Sequence, residues 1–249
     1  ITGQVVRPPD IRGGYRMFTP IQNKRMYMLI VDQIKELIDT EKLKTGDRLP
    51  SERELANRLN LSRSTAREAI TALEIMGLVE VKPGLGTFVI SPRQDQPFAD
   101  ISNELYTATS PTDIFEARIL IEPQLSRLAA QRSTREDLEA MLDILDKAAD
   151  LGRESIEEFE KLDAAFHLAI AKASHNEALY RFEESINSER LSKLWGSLKL
   201  NSLQKEGRME KYKKEHYDIL CAIKDRNSSL SEKLTRKHLD DIRMHIFGF

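Results

Sequence analysis

Apolar positions organise this chain before any single residue stands out. From Ile21 through Tyr27, Ile30, Val31, Ile34, Leu37 and Ile38 they recur at helical spacing, and Lys44-Thr45-Gly46-Asp47-Arg48-Leu49-Pro50 then reads as a turn. Ser51, with Glu54 three residues on, forms a capping box that opens a short helix, and Asn60 ends it. Ser62 caps a second helix that runs to Met76 and stops at Gly77. The period then falls from 3.6 to 2: residues 78–82 and 87–90 read as strands joined through Pro83-Gly84-Leu85-Gly86. Two short helices, a tight turn and a following hairpin predict a winged helix-turn-helix over residues 21–91.

The flanks differ in character. Residues 1–20 are aperiodic and rich in Arg, Pro and Gly, which predicts a flexible N-terminal arm whose Arg7, Arg12 and Arg16 suit non-specific phosphate contacts. Residues 92–97 are polar, hold two prolines and read as a linker. Beyond them no strand pattern appears. Amphipathic stretches fall near 98–108, 111–132, 134–150, 154–174, 176–200, 207–226 and 228–247, with Thr134 and Ser155 as caps and Pro123 as an expected kink. Short connections between such helices predict antiparallel neighbours. The expected fold is therefore mainly α: an N-terminal winged helix-turn-helix, then a C-terminal all-α antiparallel helical bundle over residues 98–249.

Composition narrows the class. A length of 249 residues suits two ordinary domains, and 40% hydrophobic content is too high for a disordered chain. A single cysteine excludes a disulfide framework or thiolate zinc cluster and fits a reducing compartment. No apolar run approaches the ~18 residues of a membrane span, and the N-terminus lacks the apolar core of a signal peptide. These features predict a cytoplasmic protein with no membrane partner. The net charge of −2 hides an asymmetry: residues 1–93 hold 15 Lys/Arg against 11 Asp/Glu, and residues 94–249 hold 23 against 29. The basic half is the one expected to meet a polyanion.

At the start of the second helix, Ser62-Arg63-Ser64-Thr65-Ala66-Arg67 would enter a major groove. Arginine can donate two hydrogen bonds to guanine, hydroxyls reach phosphates or bases, and Arg63 and Arg67 share one helix face. Arg53 on the preceding helix would approach the backbone. As a hexapeptide alone, the run is equally well a capped helix with a solvated basic face; its place in a helix-turn-helix with a hairpin favours double-stranded DNA.

These runs also resemble a known family. Leu49-Pro50-Ser51-Glu52-Arg53-Glu54-Leu55-Ala56, Ser62 to Ala69, Gly77-Leu78-Val79 and Gly84-Leu85-Gly86-Thr87-Phe88-Val89 are similar to the DNA-binding domain of GntR-family bacterial transcription regulators. The resemblance implies a homodimer on a short palindromic operator, with DNA contacts from Arg53, Ser62, Arg63, Ser64, Thr65, Arg67 and Gly84. Pro83 departs from a histidine found in the family, so the wing is where contacts should differ most.

All five histidines lie in the acidic half. Asp163 and His167 sit one turn apart beside the stripe Phe159, Leu162, Phe166 and Ile170. His216 aligns with Tyr212, Ile219, Leu220 and Ile223, and His238 falls between Leu234 and Ile242. Inward carboxylate and imidazoles need partners. They can be core histidines bonded to neighbours, or an N3O set for zinc, nickel or manganese with positions left for a ligand. His175 reads as a turn residue, His245 as exposed, Cys221 as a small core residue, and the Lys211–Lys214 cluster as a solvated face.

The runs 115–123, 162–170 and 215–223, with His238, resemble the FCD effector domain of the FadR subfamily. The resemblance implies that Asp163, His167, His216 and His238 bind a divalent metal ion, zinc or nickel first and manganese next. A subfamily member that binds acyl-CoA lacks this set, so a small carboxylate effector is implied. Arg118 shares a face with Ile114, Ile121 and Leu125, where a buried guanidinium calls for an anion: either that effector or a protein carboxylate such as Glu122. The expected function is a ligand-responsive transcription regulator, a repressor, with no catalysis. The alternatives are a regulator for which the metal is itself the signal, and a metal-dependent enzyme.

Overall fold

The computed structural model describes residues 26–90, 105, 109–190 and 192–248. The arm, the linker and the stretch expected near 98–108, apart from Leu105, lie outside them. The head comprises α1 (Met26–Asp39), α2 (Glu52–Leu59), α3 (Arg63–Ile75), β1 (Val79–Lys82) and β2 (Gly86–Val89). Both parts of the expected capping box form: Ser51 accepts from the Glu54 amide, and Glu54 accepts from the Ser51 amide. Asn60 ends α2 in the left-handed region at φ 53°, which frees the chain to turn sharply into α3. Ser62 accepts from the Thr65 amide and so starts α3. β1 and β2 pair antiparallel, Val79 opposite Val89 and Lys82 opposite Gly86. Gly84, at φ +74°, supplies the turn between them.

The bundle comprises α4 (Pro111–Arg132), α5 (Arg135–Ala149), α6 (Ile156–Ala173), α7 (Glu177–Glu189), α8 (Lys193–Leu203), α9 (Arg208–Lys224) and α10 (Ser228–Phe247). A single helix across 176–200 was the expectation, and the structure divides it. Ser192 takes an extended conformation and caps α8 at the Trp195 amide, so the chain re-aims between two helices. Ser155 makes no capping bond; a 3-10 turn, Arg153–Ser155, leads into α6 instead. Thr134 caps α5 through a capping box with Asp137. Helix α4 continues through Pro123. Proline leaves the carbonyl four residues earlier without its amide donor, and Arg236 donates to that Ile119 oxygen at 3.4 Å.

Two apolar clusters hold the molecule. One runs without interruption from the head (Tyr27, Val31, Leu73, Leu78) to Phe115, Trp195, Ile242 and Phe247 of the bundle. The other joins Leu125, Met141, Phe166, Ile219 and Ile223 between α4, α5, α6 and α9. Cys221 is exposed, contrary to expectation: it lies off the buried face of α9, which Ile219, Leu220 and Ile223 supply. His245 is half-buried and its Nδ1 bonds the Asp241 carbonyl, where exposure was expected. His175 occupies a turn at φ 47° and pairs with Asp137 at 2.7 Å. Lys211 and Lys214 pair with Asp241 and Asp218 on the helix surface.

Candidate metal centre and DNA-reading surface

Four side chains from three helices converge in the bundle: Asp163 and His167 from α6, His216 from α9 and His238 from α10. Each offers a ligand atom, and all four atoms lie within 4.8 Å of one another. None of the four residues is more than 2% exposed. In this arrangement the outer nitrogens of two of the imidazoles are occupied. His167 Nδ1 lies 2.7 Å from Glu122 Oε2, and His238 Nδ1 lies 2.8 Å from Glu215 Oε2. A carboxylate on Nδ1 fixes the proton there and turns the Nε2 lone pair inward, as second-shell partners of metal-bound histidines do. His167 Nε2 and Asp163 Oδ1 have no hydrogen-bond partner although they are buried. His216 Nε2 and His238 Nε2 face each other at 3.1 Å. Burial holds the imidazoles of His216 and His238 well below their usual pKa, with neighbouring positive groups adding to it, so both are neutral and able to ligate. This set of three imidazole nitrogens and one carboxylate oxygen fits a divalent metal ion.

Around it lies a shell of buried charge. Arg118 pairs with Glu122 through Nε and, at 3.4 Å, through Nη2, while its Nη1 has no partner. Arg118 stands over the rings of Phe115 and Trp195. Burial opposes ionisation of Glu122, but Arg118 and His167 outweigh it and hold the carboxyl low. Asp163 behaves alike: burial opposes its charge, and Lys199 and Arg190 outweigh that. Arg190 reaches Asp163 Oδ2 at 2.5 Å and Glu160 Oε1 at 2.9 Å. Glu183, on α7, is fully buried with both oxygens unpartnered; burial, with the Glu122 charge adding, pushes its pKa up to about 8.

Sequence reasoning found the four convergent residues and Arg118, and it named Glu122 as a partner for Arg118. It missed Arg190, Lys199, Glu160, Glu183 and Glu215. Only Glu215 carried a local signal, as the neighbour of His216; the others are charged residues that lose exposure only through helix packing.

In the head, Arg53, Ser62, Arg63 and Gly84 are exposed, Thr65 is half-buried and Ser64 is buried. The Ser62 hydroxyl lies 2.7 Å from those of Ser64 and Thr65. Arg67 is placed otherwise than a free groove-reading side chain. Its Nη2 lies 2.7 Å from Glu52 Oε2, its Nε 3.0 Å from both Glu52 oxygens, and its Nη1 donates to the Ile246 carbonyl at the end of α10. The next residue, Glu68, is buried and accepts from the Thr112 amide at 2.8 Å, the Thr112 hydroxyl at 2.6 Å and the Ser110 hydroxyl at 3.1 Å. Burial raises the Glu68 pKa, and those bonds offset part of the rise. Adjacent residues of α3 are thus tied to the start of α4 and the end of α10.

A winged helix-turn-helix joined to a helical bundle with a buried His3Asp group defines a DNA-binding regulator with a ligand-binding domain. Residues 26–89 match the family described as bacterial regulatory proteins, gntR family, and residues 113–241 match the FCD domain. The Uxu operon transcriptional regulator of Escherichia coli is 31% identical over 233 residues, covering 91% of this chain and 88% of that protein. The transcriptional regulator LutR of Bacillus subtilis is 33% identical over 214 residues, covering 86% and 97%. A solved structure of Streptococcus agalactiae GntR matches at 27% identity and a TM-score of 0.43, over 87% of this chain and 98% of that one. The chain belongs to the GntR family and carries an FCD effector domain. It is a DNA-binding transcription regulator, not an enzyme. Among the described residues no helix is long and apolar enough to cross a membrane.

Proposed function

We propose that this regulator is a homodimeric repressor whose grip on a palindromic operator is set by a small carboxylate bound at a metal ion. Asp163, His167, His216 and His238 would hold the ion, with zinc or nickel preferred to manganese. The ion supplies open positions to the organic acid, and Arg118 Nη1 stands ready for its carboxylate. Arg53, Ser62, Arg63, Thr65 and Gly84 would meet the duplex directly, together with Ser64 and Arg67 once α3 is released. The observation that carries this reading is the inward convergence of four buried ligand atoms while Glu122 and Glu215 occupy the outer imidazole nitrogens.

The head–bundle contacts supply the coupling. With Arg67 held by Glu52 and the Ile246 carbonyl, α3 is not offered to a groove, and this arrangement is the closed one. An effector acts by preferring one arrangement over the other, since equal affinity for both would shift nothing. The test starts from the operator, obtained by selecting bound duplexes from a random pool. Purified protein is analysed for metal, and operator affinity is titrated with lactate, citrate and a sugar acid. His216→Ala should lose the metal and the response to acid while retaining operator binding. A metal-free His216→Ala protein that still answers to the acid overturns the reading. Operator affinity that tracks free metal with no acid present makes the ion itself the signal.

A further inference from the structure

A cavity lies where head and bundle meet. It encloses about 420 Å³, within the roughly 300–1,000 Å³ of small-molecule sites. Ile75 of α3 forms one wall, and Ile156, Ala164, Leu200 and Leu203 form the others. Its floor is ionic: Glu160, Arg190 and Lys199. None of the four convergent metal-site residues lines it, nor does Arg118. Asp163 lies behind the floor, in contact with Arg190 and Lys199.

The floor is incompletely satisfied. Lys199 is 1% exposed, and its ammonium stands 3.3 Å from Glu160 Oε2 and 3.6 Å from Asp163 Oδ2 without a well-formed hydrogen bond to either. Arg190 Nε and Glu160 Oε2 are likewise buried without hydrogen-bond partners. Arg190 and Lys199 line the cavity together with Glu160. The Lys199 ammonium pairs ionically with both carboxylates and stands 5.3 Å from the centroid of the Tyr212 ring, yet none of its three donors is spent on a formed hydrogen bond, which leaves room for a further acceptor. Gly196 of α8 lines the cavity too, and a Cβ built there meets nothing within 4 Å.

We propose that this interdomain cavity is a second ligand site, for an amphipathic organic anion whose carboxylate lies on Lys199 and Arg190 and whose hydrocarbon body lies against Ile75, Ile156 and Leu200. The occupant touches the recognition helix and the bundle at once, so it favours one arrangement of the two. The cavity adjoins the four-residue group through Asp163 but shares none of its lining with that group or with Arg118, so the two readings are tested by different variants.

A homologous series of straight-chain carboxylates tests it by calorimetry on the full chain. From butanoate to hexanoate to octanoate, affinity should rise about fourfold per methylene, the equivalent of about 0.8 kcal/mol, until the cavity is full. Hexanamide, which has the hydrocarbon without the charge, should not bind measurably. Gly196→Phe fills the cavity without touching a charge, and replacing a helical glycine favours the helix, so the variant should fold and lose octanoate binding. Lys199→Met should lose it as well, whereas His216→Ala should keep it. Affinity independent of chain length, or octanoate binding unchanged in folded Gly196→Phe, overturns the proposal. Loss of octanoate binding in His216→Ala would place the ligand at the metal instead, and overturns it equally.

Discussion

The contact between Glu68 and Thr112 can be weakened with one atom's change, and the outcome tests the coupling. Thr112→Val keeps the side-chain shape and the amide bond to Glu68, but removes the hydroxyl that donates at 2.6 Å. Because Glu68 is only 2% exposed, the lost bond is one to a buried carboxylate, worth about 1.5–3 kcal/mol. That cost falls on the closed arrangement alone, since an opened Glu68 can turn to water. The ratio of open to closed protein should therefore rise by roughly 10- to 150-fold. Where the closed form predominates, apparent operator affinity without effector rises by the same factor, up to the intrinsic affinity of the open form. Fluorescence anisotropy on a labelled operator at fixed salt reads this directly, with thermal melting and metal content as checks on the fold. Operator affinity that is unchanged or weaker, in a variant that melts normally and retains metal, would refute the argument that these bonds hold α3 away from DNA.

Arg63→Ala, at an exposed position at the start of α3, should weaken operator binding by about 1–3 kcal/mol in anisotropy titrations without changing the melting temperature. Unchanged affinity at moderate salt would take this end of α3 out of the groove. Arg118→Ala should retain the metal by elemental analysis but lose the calorimetric signal of the small acid; intact acid binding would leave Arg118 as a partner of Glu122 alone. Glu183, whose folded pKa is raised to about 8 from an ordinary value near 4.5, keeps a proton that the unfolded chain releases, so stability should fall as pH rises between those values and level off above. Glu183→Gln should flatten that limb of the urea-denaturation profile and be the more stable protein at pH 8; parallel profiles would show that Glu183 is ionised in the fold.

Much of this structure was legible in the sequence because the signals were local. A capping box at Ser51 and Glu54, a left-handed stop at Asn60 and a change of period after Gly77 each depend on a few adjacent residues, and each formed as expected. The convergence of Asp163, His167, His216 and His238 was legible for a related reason, since polar residues on an apolar helical stripe must point inward; their reading as a metal set came from the family resemblance and not from the pattern. The break at Ser192 was not legible, since hydrophobic residues continue on both sides and only the capping geometry divides them. Nor was the burial of Arg190 and Lys199. Each looks like a solvated charge in its own helix, and the packing of α6, α7 and α8 alone brings them against Asp163. The hold on Arg67 is more distant still, because its acceptor is a backbone carbonyl 179 residues along the chain, which no side-chain pattern encodes.

In the proposed mechanism that hold is also the route by which a site sealed inside the bundle would reach the head. Helix α10 carries His238 at the His/Asp group and the Ile246 carbonyl at Arg67, and the eight helical steps from one to the other span about 12 Å. Helix α4 carries Arg118 and Glu122 at the same group and Thr112 at Glu68, with about 9 Å between Thr112 and Arg118. Both helices are close-packed, so neither can absorb a displacement at the metal by bending locally, and a shift at one end arrives at the other. The two levers end on consecutive residues of α3. In the proposed mechanism a displacement of α4 or α10 would act on one point of the recognition helix. The proposed coupling needs no chain of intermediate side chains, because α4 and α10 each reach the His/Asp group at one end and α3 at the other.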